Sequence, residues 1–152
     1  MTAVGFEPQE IDLLQPTRAA RLKWVVVVDS ALPPGRAVNA AVCVASATAR
    51  SVAGLLGPDG EDATGSAHPG LPWAGCTVLA ATGDRLAALR AKAADSPGVF
   101  VADMPVQAQR TRVYDDYLRQ LSEASDVEYL VVSVVGPRNR VDKLVKGLEL
   151  MP

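Results

Sequence analysis

Lys23–Ser46, KWVVVVDSALPPGRAVNAAVCVAS, decides the fold. The uninterrupted bulky apolar run from Trp24 to Val28 is what a strand covered on both faces requires. Asp29 and Ser30 stand at its expected end, and Pro33, Pro34 and Gly35 force the chain to turn. The pattern then predicts a helix from about Pro34 to Ala53, with Gly54 and Gly57 marking its exit. That helix carries one polar stripe, Asn39, Cys43, Ser46 and Arg50, and most of the rest is Ala and Val. It must therefore be covered on most sides, by the sheet and, as a further candidate, by a second subunit. Ligands of open α/β sheets bind beyond the carboxyl ends of the strands, so Asp29–Asn39 is the expected site.

Working outward, residues 1–22 form an irregular lead-in, with Glu10–Leu14 and Thr17–Leu22 as candidate helical turns, and 23–152 form a single α/β domain. Gly57–Gly75 is the one long loop, with five Gly, three Pro and three acidic residues. A functional lid and an ordered surface excursion both fit it. A strand is expected at Thr77–Ala81, then a helix from Thr82 or Asp84 to about Ala94 with Leu86, Leu89 and Ala93 inward. Val99–Ala102 is a short strand ending at Asp103, and Met104–Arg112 a polar connector. A helix Val113–Ser125 carries the stripe Val113, Tyr114, Tyr117, Leu118 and Leu121. Glu128–Gly136 is a second strand buried on both sides, and Asn139 with Asp142 offers a capping box for a last helix, Arg140–Lys146. The strands beginning at Lys23 and Glu128 are the most apolar and should be central, with the other two at the edges.

Composition narrows the function classes. The chain has 152 residues, 49% hydrophobic and 21% charged, as a soluble globular domain does. With 15 basic and 17 acidic side chains, the net charge of −2 supplies no general field for a polyanion, which disfavours nucleic acid as a partner. Cys43 and Cys76 read as buried free thiols. With one histidine, His68, and no CxxC spacing, a zinc site within one chain is not expected. No cofactor is expected either. The apolar runs fall short of the roughly 20 residues that span a bilayer. No basic segment followed by an apolar one opens the chain, so a cytoplasmic location is expected.

The Lys23–Ser46 stretch resembles the opening of the archaeal-type (type II) peptidyl-tRNA hydrolases, and Val99–Thr111, VFVADMPVQAQRT, resembles their second motif. The tail, VVSVVGPRNRVDKLVKGLEL, resembles their closing strand, Gly-Pro turn and helix. A closer resemblance is to an uncharacterised bacterial family of that fold with a Leu-Pro-Pro-Gly turn, a helical Asn and a Gly-x-x-His-Pro-Gly loop, here Gly65–Gly70. The resemblance implies a peptidyl-tRNA hydrolase II-like α/β fold: a three-layer α/β/α sandwich on a four-stranded mixed sheet of order 2-1-4-3, with the fourth strand antiparallel, and a homodimer. It places Arg36 where the hydrolases have a Lys, Asn39 near their Gln, Asp103 on their second-motif Asp, and Gln109 or Thr111 near their Thr-Gln pair. Met104-Pro105 stands in place of their Ala-Gly.

The candidate catalytic residues are accordingly Asp103, Arg36 and His68, and the candidate ligand-binding residues are Asp29, Asn39 and Gln109. Arg36 can fork onto a carboxylate or phosphate. Asp103, poised by Arg36, could orient a water, or the two could simply form an ion pair that fixes the turn. His68 could arrive on the lid as an acid or base, or anchor its own loop. Ser30 and Cys43 lack an identifiable base. The Arg110/Arg112 and Arg138/Arg140/Lys143/Lys146 groups could touch phosphates, though solvated faces are the commoner reading of such charges. The expected function is action on, or binding of, a small anionic ligand at the strand-end pocket of a diverged peptidyl-tRNA-hydrolase-like scaffold. A non-catalytic binding or regulatory dimer and peptidyl-tRNA hydrolysis itself are the alternatives. The site requires Asp29, Asp103 and the start of the Ala-rich helix to meet in one hollow.

Overall fold

In the computed structural model, which describes residues 3–152, the valine run forms β1 (Leu22–Asp29) and the Pro-Pro-Gly turn leads into α1 (Pro34–Ser51). The long loop contains a small hairpin, β2 (Gly60–Glu61) and β3 (Ala67–His68). β4 (Thr77–Ala81), α2 (Gly83–Ala94), β5 (Phe100–Pro105), α3 (Gln107–Arg110) and α4 (Tyr114–Glu123) follow. β6 (Tyr129–Pro137), α5 (Arg138–Leu144) and β7 (Glu149–Leu150) complete the chain.

The main sheet is mixed and five-stranded, ordered β5-β6-β1-β4-β7. β4 runs parallel to β1, whereas β6 is antiparallel to β1, β5 to β6 and β7 to β4. The four longer strands keep the order 2-1-4-3, but the expected count of four is corrected to five. β7 is only two residues long and is defined by its pairing with Leu79 and Ala80, so no local pattern announces it. It also covers β4, which is therefore not an edge. The expected capping box of α5 does not form, because the helix begins at Arg138 and Asp142 instead accepts from Lys23 Nζ at 2.6 Å.

Alternation along the central strands divides the core into two layers. Trp24, Val26 and Val28 pack with Ala37, Ala40 and Val44 of α1, while Val25 and Val27 pack with Leu86, Leu89 and Ala93 of α2 and Val141 of α5. Helices thus cover both faces, which explains why β1 shows no polar alternation.

One polar chain crosses the α1 layer. Trp24 Nε1 donates to Ser133 Oγ at 2.8 Å, the Ser133 and Thr48 hydroxyls lie 2.7 Å apart, and Thr48 Oγ1 donates to the Val44 carbonyl at 2.7 Å. Ser133 and Thr48 are both fully buried. Each hydroxyl has one proton, so the direction is fixed: indole to Ser133, Ser133 to Thr48, Thr48 to helix backbone.

The lead-in contributes to the core. Its regular pieces are 3₁₀ turns at Pro8–Glu10 and Thr17–Ala19, and between Phe6 and Ala53 the Phe6 N–H donates to the carbonyl at 2.8 Å. The buried Phe6 ring packs on Trp73, with centroids 4.8 Å apart, and Trp73 Nε1 donates to Gly54 O. Glu10 bridges to Arg21 and accepts from the Glu7 N–H, and these bonds, the arginine's first, pull its carboxyl down to about 2.

Ser133→Ala leaves the buried Trp24 N–H without an acceptor and is expected to cost about 1–3 kcal/mol in urea unfolding, against ~0.5 kcal/mol or less for the exposed Ser46→Ala. The depressed Glu10 carboxyl holds the lead-in fully above its ordinary pKa of 4.5 and releases it as pH falls through about 2. The Trp73 indole N–H resonance is expected to follow that transition and, in Glu10→Gln, to lose its pH dependence in this range.

Candidate functional site

The rotation of α1 about its axis decides what faces the outside. Ala37, Ala40, Val44 and Thr48 are its buried residues, so the polar stripe is directed away from the sheet. Cys43 and Ser46 of that stripe, with Ala47, form one wall of a cleft of about 550 Å³. Asp103, Met104 and Pro105 of the edge strand β5 form a second, and Arg112, Tyr114 and Tyr117 close it from the α4 side. α4 carries the apolar stripe read from the sequence, yet it buries none of its residues, and Tyr114 is 74% exposed.

At the α1 N-terminus the structure brings together three of the residues singled out in the sequence. Arg36 Nε donates to Gln109 Oε1 at 2.8 Å, and the Gln109 amide donates to the Arg36 carbonyl at 2.9 Å and to Asn39 Oδ1 at 3.1 Å. α3 supplies Gln109, whose chain neighbour Ala108 lines the cleft, whereas Arg36, Asn39 and Gln109 are not themselves among the lining residues. Gln109 is neutral, and among the described residues Arg36 has no carboxylate partner.

The proposed pairing of Arg36 with Asp103 is corrected. Asp103 lies inside β5, opposite Val132, and its Oδ2 accepts from Arg90 Nε of α2 at 3.1 Å. Val132 belongs to the α2 layer, so Asp103 leaves the strand toward α2, where Arg90 also sits 5.7 Å from the centroid of the Tyr129 ring. Burial, then the neighbouring Tyr114 and Asp103, push the Tyr117 phenol up. Asp29 does lie at the same end of the sheet as Asp103, since Val28, Val131 and Met104 share one row. Its carboxylate, however, caps its own turn by accepting from the Ala31 N–H at 2.9 Å.

The structure does not bring His68 to this cluster. His68 lies in the β2–β3 hairpin, 65% exposed, 3.2 Å from Asp62. Asp62 also accepts from Thr64 and Ser66, and these bonds hold its carboxyl at about 2. The hairpin neck needs glycine: a Cβ on Gly70 would stand 1.8 Å from the Gly57 carbonyl oxygen, and Gly65 has φ +84°. The Gly65–Gly70 motif is thus accounted for by hairpin geometry. The cysteines are likewise corrected, since both are free and exposed.

Arg90 was missed, while Arg112 and Tyr117 were read only as part of a charge group and of an apolar helix stripe. Arg90 could have been found, because it follows Leu86 by four residues and so borders the inner stripe of α2. Arg90→Ala is expected to cost about 1 kcal/mol or less, the pair being partly exposed and screened. The loss should shrink in high salt, as read by urea unfolding.

No curated protein matches the chain. A solved structure of a protein of unknown function from Agrobacterium tumefaciens is similar to it, with a TM-score of 0.77 at 17% identity, over 87% of this chain and 98% of that one. At that identity the likeness concerns the fold. The model of the family described as "Protein of unknown function (DUF2000)" matches residues 22–152, and the chain belongs to that family.

Proposed function

We propose that the protein binds a small molecule with an apolar body and one anionic group in the cleft between α1, β5 and α4. The observation that carries this reading is the state of Arg36. Gln109 takes its Nε, while among the described residues its terminal nitrogens meet no acceptor, which leaves them able to donate to a carboxylate or phosphate. Arg112, on the cleft wall, is a second cation without a carboxylate partner among the described residues. The volume of about 550 Å³ suits a metabolite-sized ligand, and Val44, Met104, Pro105 and the two tyrosines suit an apolar or ring-bearing body. Asp103 already balances Arg90, so recognition is favoured over a hydrolytic step.

The scaffold itself reads as a diverged peptidyl-tRNA-hydrolase-like sandwich, supported by the 2-1-4-3 order of the longer strands and by helices on both faces. A second reading, a binding or regulatory homodimer, is favoured by the exposed apolar residues Val38 and Val42 on α1 and Val113 and Leu118 beside the cleft.

A thermal-shift screen of aliphatic and aromatic carboxylates and phosphates should find a ligand that stabilises the wild type. Calorimetry should show its affinity falling about tenfold or more in Arg36→Ala, the loss of one charge-assisted contact. Ser46→Trp should block the cleft. Equal affinity in wild type and both variants overturns the reading.

A further inference from the structure

We propose a second, independent binding site for a small oxyanion, of phosphate type, at the amino-terminal end of β1 and β4, away from the α1 N-terminus. A cavity of about 250 Å³ lies there, and three cations from separate segments line it: Arg18 of the lead-in, Lys23 at the start of β1, and Arg138 after β6. Thr17 and Thr77 add hydroxyls. In a chain of net charge −2, this is a concentration of positive charge in a concave place, where water is displaced and fields are strengthened.

Two of the three cations are not neutralised by the fold. Arg138 is fixed by carbonyls alone, its Nε donating to Ala20 O and its Nη2 to Thr17 O, each at 3.2 Å. These bonds orient the guanidinium without neutralising it. Among the described residues Arg18 has no carboxylate partner, and neither threonine hydroxyl has a protein partner. Lys23 alone is paired, with Asp142 of α5 at 2.6 Å. The lining therefore carries two uncompensated positive charges, a preorganised donor from Arg138 and neutral donors from the threonines, which together match a divalent tetrahedral anion.

Size narrows the class. The cavity volume equals about eight waters of bulk liquid, below the roughly 300–1,000 Å³ of metabolite pockets. The occupant is then inorganic phosphate or the phosphoryl group of a small monoester whose remainder stays outside. Another basic hollow, lined by Lys92, Arg140 and Lys143, adjoins the last turn of α2, where cations answer the helix carbonyls and no ligand is needed to explain them.

The site is tested by calorimetry and thermal shift on the full chain, with inorganic phosphate and glycerol phosphate titrated separately against chloride at constant ionic strength. Saturable binding is expected, weakened about tenfold or more in Arg18→Gln, which removes a cation the fold does not use. Asp142→Asn should tighten binding, because it removes the carboxylate that competes for Lys23. Opposite shifts in these two variants cannot come from general destabilisation. Ser46→Trp, which blocks the α1 cleft, should leave phosphate binding unchanged, so this site and the cleft fail or stand separately. Tighter binding of phosphate than of the monoester supports the free anion, and the reverse supports a phosphoryl group on a larger molecule. No difference from chloride, or unchanged affinity in Arg18→Gln, overturns the site.

Discussion

The structure depends on how α1 is fixed to the sheet, and the constraint is the hydrogen-bonded run from the Trp24 indole through Ser133 and Thr48 to the Val44 carbonyl. Apolar contacts alone would hold this helix loosely in rotation, since Ala37, Ala40 and their neighbours are small and nearly interchangeable around the axis. Buried hydroxyls are different, because a helix turned by one residue would orphan an indole N–H and a serine hydroxyl in a water-free layer. The polar run therefore converts a non-directional contact into a directional one. It places Cys43 and Ser46 on the cleft wall as a direct consequence.

The two walls of the cleft differ in character. α1 is anchored along its length, whereas α4 is amphipathic without burying a residue and rests mainly against α3. An element with so little buried surface lies at the low end of local stability, and its position is the one most readily set by whatever it covers. The Arg36–Gln109–Asn39 cluster joins the start of α1 to α3, so it ties the firm wall to the segment that carries the other.

Much of the architecture was legible because β1 and β6 are long, apolar on both sides and flanked by unambiguous turns. Proximity of Arg36, Asn39 and Gln109 was also legible, though only through a family pattern. What was hidden shares one physical cause, dependence on partners distant in sequence. β7 exists only through its register with β4. Asp103 chose Arg90 over Arg36 because strand alternation sent its side chain to the opposite layer, and a one-residue shift would have reversed the outcome. Asp142, expected to cap its own helix, was drawn to Lys23 across the sheet surface. The basic cavity combines residues from three segments that no local spacing connects.

β5 remains the outer strand on its side of the sheet, with a register irregularity between Met104 and Pro105. An unpaired strand of this kind invites an intruding chain to extend the ladder, the first step toward aggregates. Pro105 withholds an amide at the end of that ladder, the irregularity twists it out of register, and Asp103 sets a carboxylate in its middle. The aspartate read from the sequence as a reagent thus has a second use, as a guard on the sheet's open flank, and its loss would be felt in solubility before it was felt in chemistry.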